Sequence, residues 1–162
     1  TNGSAALSFA AAGKIVQVVN TQTGTYATGT TTTPFDDTIP QKTEGTEFMN
    51  LAITPTNSSN KLLIEVESMA TVSASAVRMT LALFQDATAG ALAATCSVPH
   101  AANNGHTTSM AHYMTAGTTD ATTFKVRIGG DTSSNIYFNG ASAARKLGGV
   151  AASSITITEI SV

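Results

Sequence analysis

Several stretches of the chain alternate apolar and polar side chains with a period of two, which is the spacing of a β-strand that buries one face. In Lys61–Val72, apolar residues such as Leu62 and Ile64 share one face, whereas Glu65 and Glu67 share the other. The pattern predicts a strand at each of the following segments: Lys14–Val19, Tyr26–Thr33, Glu47–Ile53, Lys61–Val72, Val77–Gln85, Ala91–Val98, Thr107–Met114, Thr122–Ile128, Ile136–Asn139 and Ile155–Val162.

The segment Val77–Gln85 differs from the others because both of its faces are apolar. A strand of this kind lies at the centre of a protein or at an interface. Surplus apolar surface is commonly buried between identical subunits. We therefore expect a subunit interface that includes Met69, Met79, Leu81 and Leu83.

The last strand changes the parity of its apolar positions. Ile155 and Ile157 share one face, but Ile160 and Val162 fall on the other. One extra residue in the strand would restore the alignment, and a β-bulge supplies such a residue. The sequence thus predicts a bulge near Thr158–Glu159.

Turn-forming residues separate the predicted strands, as in Asn103-Asn104-Gly105 and Asn139-Gly140. Ala87–Ala94 could form a helix by propensity, but a hairpin that turns at Ala89-Gly90 fits the surrounding strands better. About ten short strands predict an all-β fold, an antiparallel, jelly-roll-like β-sandwich. We expect one domain over residues 13–162, with residues 1–12 as an arm or linker from an upstream segment.

The composition restricts the possible functions. Only 11% of the 162 residues are charged, and the net charge is −2, so there is no basic surface to bind nucleic acid. The polar surface comes instead from 28 Thr and 15 Ser. No apolar run approaches the roughly 20 residues of a membrane-spanning helix, so we expect no membrane insertion. Cys96 stands alone in a strand context, which predicts a buried, unreactive thiol.

The sequence lacks a recognisable catalytic or cofactor-binding motif. No Gly-x-Ser-x-Gly nucleophile elbow occurs, and no glycine-rich phosphate loop precedes a helical pattern. His100, His106 and His112 are weak candidates for a metal site, because their six-residue spacing suits neither a helical nor a strand ligand pair. We therefore expect a protein that is not an enzyme and that uses no cofactor.

Three parts of the chain together resemble a known domain. They are the opening Gly13–Val19, the turn and strand of Ala52–Val66, and the terminal pair Thr123–Arg127 and Ser154–Ile160. This order resembles the C-terminal β-sandwich domain of tailed-bacteriophage tail-fibre and virion appendage proteins. The resemblance extends over roughly Gly13 to Val162 and implies a trimeric structural head on the virion.

From this resemblance we expect a head domain that attaches the particle to a host-surface glycan or protein, without covalent chemistry, beside other virion proteins. The alternative is a capsid decoration or fibre-trimerisation cap that binds no receptor. Loops on a rigid sandwich are where recognition sites usually lie. The expected receptor-binding residues are Asn103, Asn104, His106, Tyr137 and Asn139.

Overall fold

Two antiparallel β-sheets pack face to face in the computed structural model, which describes residues 13–162. These residues contain no α-helix, so the prediction of an all-β, jelly-roll-like sandwich is confirmed. None of their helical turns is long and apolar enough to cross a membrane. The predicted arm over residues 1–12 lies outside the described residues. The strands are β1 (Ile15–Thr23), β2 (Ala27–Gly29), β3 (Thr46–Ile53), β4 (Lys61–Val72), β5 (Met79–Gln85), β6 (Ala93–Ser97), β7 (His106–Thr115), β8 (Thr122–Gly130), β9 (Ile136–Phe138), β10 (Gly140–Ala141), β11 (Ala144–Arg145) and β12 (Ser153–Ile160).

The first sheet has the strand order β1-β12-β4-β9-β2, and β7 pairs with the free side of β4. β4 is the longest strand and organises this sheet, since it pairs with β12, β7 and β9. The second sheet has the order β3-β8-β5-β6. Between the sheets lies a core of aliphatic and aromatic side chains that includes Ile64, Leu81, Phe124 and Ile157.

The local predictions agree with the structure where one face of a strand is buried. β4 has the bounds expected from its alternation, and its even-numbered apolar residues lie in the core. The choice of a hairpin over a helix for Ala87–Ala94 is confirmed, because β6 pairs antiparallel with β5. Two strands were not expected, β10 and β11, which form a separate two-stranded ribbon after β9.

β5 is buried on both faces by the chain itself. Its odd-numbered side chains, Met79, Leu81 and Leu83, lie in the core between the sheets. The expectation that these three residues form a subunit interface is corrected by this burial. Met69, the fourth expected interface residue, is half-buried on β4.

The outer face of β5 carries Thr80, Ala82 and Phe84, which are also buried. Pro34 and Pro40 belong to a segment that crosses this face and shares a groove with Thr80. Backbone hydrogen bonds fix the segment: the Ala91 N–H donates to the Pro40 carbonyl at 2.9 Å. An irregular loop therefore takes the place that a partner subunit was expected to occupy.

The last strand contains no bulge against β4, and the predicted bulge at Thr158–Glu159 is wrong. Ser154 to Ile160 pair with Glu67 to Lys61 without a break in register. The parity changes because the inward position is occupied by Glu159, which is fully buried, so that Ile160 points outward. The irregularity lies instead in the neighbouring strand, between Ile15 and Gln17 of β1.

Candidate interaction surface

The outer face of the first sheet carries three straight rows of side chains across β1, β12, β4 and β7. The register of the four strands aligns residues at every second position. The first row is Val18, Thr158, Leu63 and Tyr113; the second is Asn20, Thr156, Glu65 and Ala111; the third is Gln22, Ser154, Glu67 and Ser109.

The first row is the apolar one, and its ends lie at opposite edges of these four strands. Tyr113 on β7 is 57% exposed, and Val18 on β1 is 54% exposed. With strands about 4.8 Å apart, the two ends are separated by about 15 Å and do not touch within one chain. Ile15 and Val16 extend the exposed apolar area along β1, and the half-buried Leu63 extends it from Tyr113 onto β4. We call these two areas the β1 patch (Ile15, Val16, Val18) and the β7 patch (Leu63, Tyr113).

The members of the second and third rows on β12, β4 and β7 line a shallow polar groove of about 590 Å³. Glu65 and Glu67 line it from β4, with Ser109 on one side and Ser154 and Thr156 on the other. Neither glutamate forms an ion pair within residues 13–162, so the groove carries two uncompensated negative charges. A groove of this kind stays hydrated at neutral pH.

The two loops that carry the expected receptor-binding residues meet at the end of β4, whereas the third expected contact loop, Asp86–Gly90, follows β5 in the second sheet. Ala70 is paired with both His106 and Phe138, so β7 and β9 lie on either side of it. Asn103 joins the two loops because its Oδ1 accepts a hydrogen bond from the Ser142 N–H at 3.1 Å. We call residues 101–106 and 142–143 the end cluster.

Two of the five expected receptor-binding residues lie inside the protein. Asn139 is fully buried, and Tyr137 is only 9% exposed. Asn139 Nδ2 donates to the carbonyl oxygens of Thr23 and Thr25 at 2.8 and 3.2 Å, and its Oδ1 accepts from Ser153 Oγ at 2.7 Å. The prediction of a binding role is corrected for both residues, since turn-forming sequence does not by itself imply exposure. Asn104 is exposed, and Asn103 and His106 are half-buried.

The three histidines do not meet. His106 and His112 lie six residues apart on β7, about 20 Å along an extended strand, and His100 precedes the end cluster. Within residues 13–162, no group of three histidine, cysteine, aspartate or glutamate side chains could hold a metal ion.

Cys96 is exposed rather than buried, contrary to the expectation from its strand context. It lines a groove of about 210 Å³ between β6 and the segment with Phe35 and Asp36. Partial burial of the thiol raises its pKa, and a hydrogen bond with Thr80 opposes that shift. A raised pKa keeps the thiol protonated at neutral pH and therefore weakly nucleophilic.

Comparison with known proteins places this architecture in a family. The sequence of residues 8–162 matches the family described as the Pgp3 C-terminal domain. The chain belongs to the Pgp3 C-terminal domain family. Pgp3 is a Chlamydia virulence protein. The predicted identity as a bacteriophage tail-fibre domain is therefore wrong, together with the virion head and receptor-attachment function, the capsid-decoration or trimerisation-cap alternative and the virion location.

Solved structures show how the Pgp3-family sandwich compares with other folds. Eiger TNF from S. frugiperda aligns over 88% of this chain and 92% of its own, with a TM-score of 0.50 and 7% identity. Latent PorU from Porphyromonas gingivalis aligns over 94% of this chain but 14% of its own, with a TM-score of 0.44 and 7% identity. VP2 of infectious bursal disease virus aligns over 90% and 39%, with a TM-score of 0.39 and 6% identity. Such identities concern the fold alone. No curated protein matches the sequence.

Proposed function

We propose that this Pgp3-family domain is a non-catalytic, homotrimeric protein-interaction module. Its subunits associate through the β1 patch of one copy and the β7 patch of the next. The end cluster remains free in this arrangement and contacts another protein. The main support for this proposal is that two apolar patches lie at opposite edges of four adjoining strands.

The placement of the patches favours a cyclic assembly over a twofold dimer. An isologous dimer through this face would bury both patches of each copy in one contact and would bring the acidic rows of the two copies close together. A heterologous contact instead joins the β7 patch of one subunit to the β1 patch of its neighbour, and it closes into a ring if the rotation fits. Three copies give the smallest such ring. Glu65 and Glu67 then face a hydrated space rather than each other at close range.

The geometry of the acidic groove supports a binding role. The groove lined by Glu65 and Glu67 carries adjacent carboxylates of one strand. Both point from the same face, so they cannot flank a substrate from opposite sides as the paired carboxylates of a glycosidase do. The histidines lie apart from it on the inward-facing positions of β7 or beyond that strand.

The end cluster supports a protein partner more than a glycan. Glycan sites commonly use aromatic faces, whereas Tyr137 at this end is almost fully buried and the exposed residues of the end cluster are alanine, asparagine, glycine and serine. Asn104 and the half-buried Asn103 offer hydrogen-bonding groups on a loop that the sheet end holds in place. A partner on a host surface stays a prediction.

The oligomeric state tests the proposal. The purified domain should elute with a light-scattering mass of about 50 kDa, three times the 16.5 kDa of one chain. Tyr113→Arg places a charge in the β7 patch and should reduce the mass to that of a monomer at micromolar concentration. Circular dichroism should show an unchanged β-sheet spectrum, because the Tyr113 side chain is exposed in the single chain.

Val98→Arg is the matched control. Val98 is exposed to the same extent as Val18, but it follows β6, away from both patches. This variant should remain trimeric. A monomeric wild-type domain, or a trimer that Tyr113→Arg leaves intact while Val98→Arg dissociates it, would reject the proposed assembly.

A further inference from the structure

Residues 13–162 contain two Asn-Gly dipeptides, Asn104-Gly105 and Asn139-Gly140, in opposite environments; a third, Asn2-Gly3, lies outside the described residues. An Asn-Gly pair is chemically labile because glycine has no side chain to hinder attack by its backbone nitrogen on the preceding side-chain amide. Reaction requires that the asparagine side chain can rotate and that the glycine nitrogen is free. The two sites therefore provide a direct comparison within one molecule.

The first site satisfies both requirements. Asn104 and Gly105 are exposed and lie between a turn and the start of β7. The Asn104 N–H donates to the Ala101 carbonyl at 3.3 Å, a long bond that holds the turn weakly. Within residues 13–162, neither the Asn104 side-chain amide nor the Gly105 N–H makes a hydrogen bond.

The second site satisfies neither requirement. Asn139 is fully buried, and its amide is held by Thr23, Thr25 and Ser153. Gly140 is buried too and pairs with Arg145 in the ribbon of β10 and β11. Reaction at Asn139 therefore requires local unfolding that exposes the site to water.

We propose that Asn104 is a site of spontaneous deamidation and that the fold protects Asn139 from the same reaction. The Gly105 nitrogen loses its proton to a base in the solvent and attacks Cγ of Asn104. The new N–Cγ bond closes a succinimide ring, and the Cγ–Nδ2 bond breaks to release ammonia, which takes up a proton. Water then opens either carbonyl of the ring and leaves aspartate or isoaspartate. No oxidant or reductant takes part.

The modification changes the end cluster in two ways. It converts a neutral amide into a carboxylate, so the net charge of the chain goes from −2 to −3. The isoaspartate product also inserts a methylene group into the backbone two residues before His106, which pairs with Ala70 of β4. A change at this position alters the surface through which the proposed function contacts a partner. The chemistry itself does not depend on that function.

Mass spectrometry after tryptic digestion separates the two sites. Cleavage after Arg78 and Lys125 gives a peptide that contains Asn104, and cleavage after Arg127 and Arg145 gives one that contains Asn139. The folded chain, incubated in mildly alkaline buffer, should accumulate the acid form of the first peptide, with fragmentation placing the change at residue 104. Asn139 should react more than about a hundredfold more slowly. The free energy of folding keeps the fraction of molecules in which this region is open below roughly one in a hundred.

Two controls make the result specific. Gly105→Ala should slow the reaction at Asn104 by hindering the nucleophile, and the fold tolerates it because the added Cβ would lie 3.4 Å from the Met69 Cε, an ordinary contact. Incubation in concentrated denaturant should bring the rates at Asn104 and Asn139 close together. The proposal fails if Asn139 reacts as fast as Asn104 in the folded chain, if Asn104 stays unchanged, or if Gly105→Ala reacts at the wild-type rate.

Discussion

The carboxylate of Glu159 accepts a hydrogen bond of 2.6 Å from Nδ2 of Asn60, a residue 99 positions earlier in the chain. Glu159 is fully buried and has no cationic partner within residues 13–162. Its other donors are Gln17 Nε2 at 2.6 Å, the Thr56 hydroxyl and N–H at 2.8 and 2.9 Å, and the Asn57 N–H at 3.4 Å. A single buried charge therefore holds together the last strand, the first strand and the turn before β4.

Replacing this charge should destabilise the domain. Glu159→Gln retains the size of the side chain, but it turns an amide N–H₂ toward groups that are themselves donors. Hydrogen bonds to a charged group contribute about 1.5–3 kcal/mol each, so we expect a loss of about 2–4 kcal/mol in the free energy of unfolding. Urea denaturation measures it. Glu67→Gln, a change on the solvent-exposed side of β4, should shift the stability by less than about 0.5 kcal/mol.

The same carboxylate should make stability depend on pH in acid. Burial raises the pKa of Glu159, but the hydrogen bonds from Asn60, Gln17 and Thr56 outweigh it and lower the pKa from 4.5 to about 2. A lowered pKa in the folded state stabilises the protein above the unfolded-state value, and this stabilisation is lost as the pH falls toward the folded-state value. The wild-type domain should therefore lose stability between pH 4.5 and about 2.

Glu159→Gln separates this effect from general acid denaturation. The variant has no carboxyl group to titrate at this position, so the stability difference from the wild type should shrink across that pH range. A difference that stays constant from neutral pH to about pH 2 would contradict the role assigned to Glu159.

Residues 34–41 lie across the outer face of β5, and one phenylalanine from each side of this contact can be tested. Phe84 is 1% exposed on that outer face, and Phe84→Ala should lower the free energy of unfolding by about 3–5 kcal/mol. Phe35 is 57% exposed, with its ring 5.0 Å from the Arg78 guanidinium carbon, so Phe35→Ala should lower it by about 1 kcal/mol or less. Equal losses for the two variants in chemical denaturation would disprove the covering role of residues 34–41.

A charge pair tests whether the β1 patch of one subunit meets the β7 patch of the next. Val18→Asp and Tyr113→Arg should each dissociate the trimer, because each leaves an unpaired charge in an apolar contact. The double variant should recover part of the association, since the arginine of one subunit then meets the aspartate of the next. Sedimentation velocity at low salt measures the recovery. If the patches instead met their own copies, the double variant would bring like charges together and stay monomeric.

Local alternation was sufficient to predict most strands. The bounds of β4 follow from its sequence because the requirement for one buried face acts at every second residue. Short strands were harder to predict from the sequence. Tyr26–Thr33 was expected to form a strand throughout, but only Ala27–Gly29 pairs with another strand. A hydroxyl-rich segment can be extended without a partner, and pairing depends on a neighbour that is distant in sequence.

For the candidate surface, too, the sequence predicted local features, whereas the fold determined which residues are exposed and which meet. The sequence indicated that the loops around Asn104 and Asn139 belong to turns, but only the fold shows that they meet and that one asparagine is exposed while the other is buried. The sequence did not mark Val18 and Tyr113 as surface residues of a common row, because each is an ordinary strand residue in its own segment. Only the register of the four paired strands places them in one row.

The amino-acid sequence by itself determined that this chain forms an antiparallel sandwich, because period-two patterning and turn residues act locally. Only the tertiary structure decided which apolar faces remain exposed. The doubly apolar β5 is covered by a loop of its own chain, and Glu159 takes an inward position where an isoleucine was expected. Both outcomes depend on contacts between residues far apart in sequence, where a buried carboxylate is stabilised by donors that no local pattern reveals.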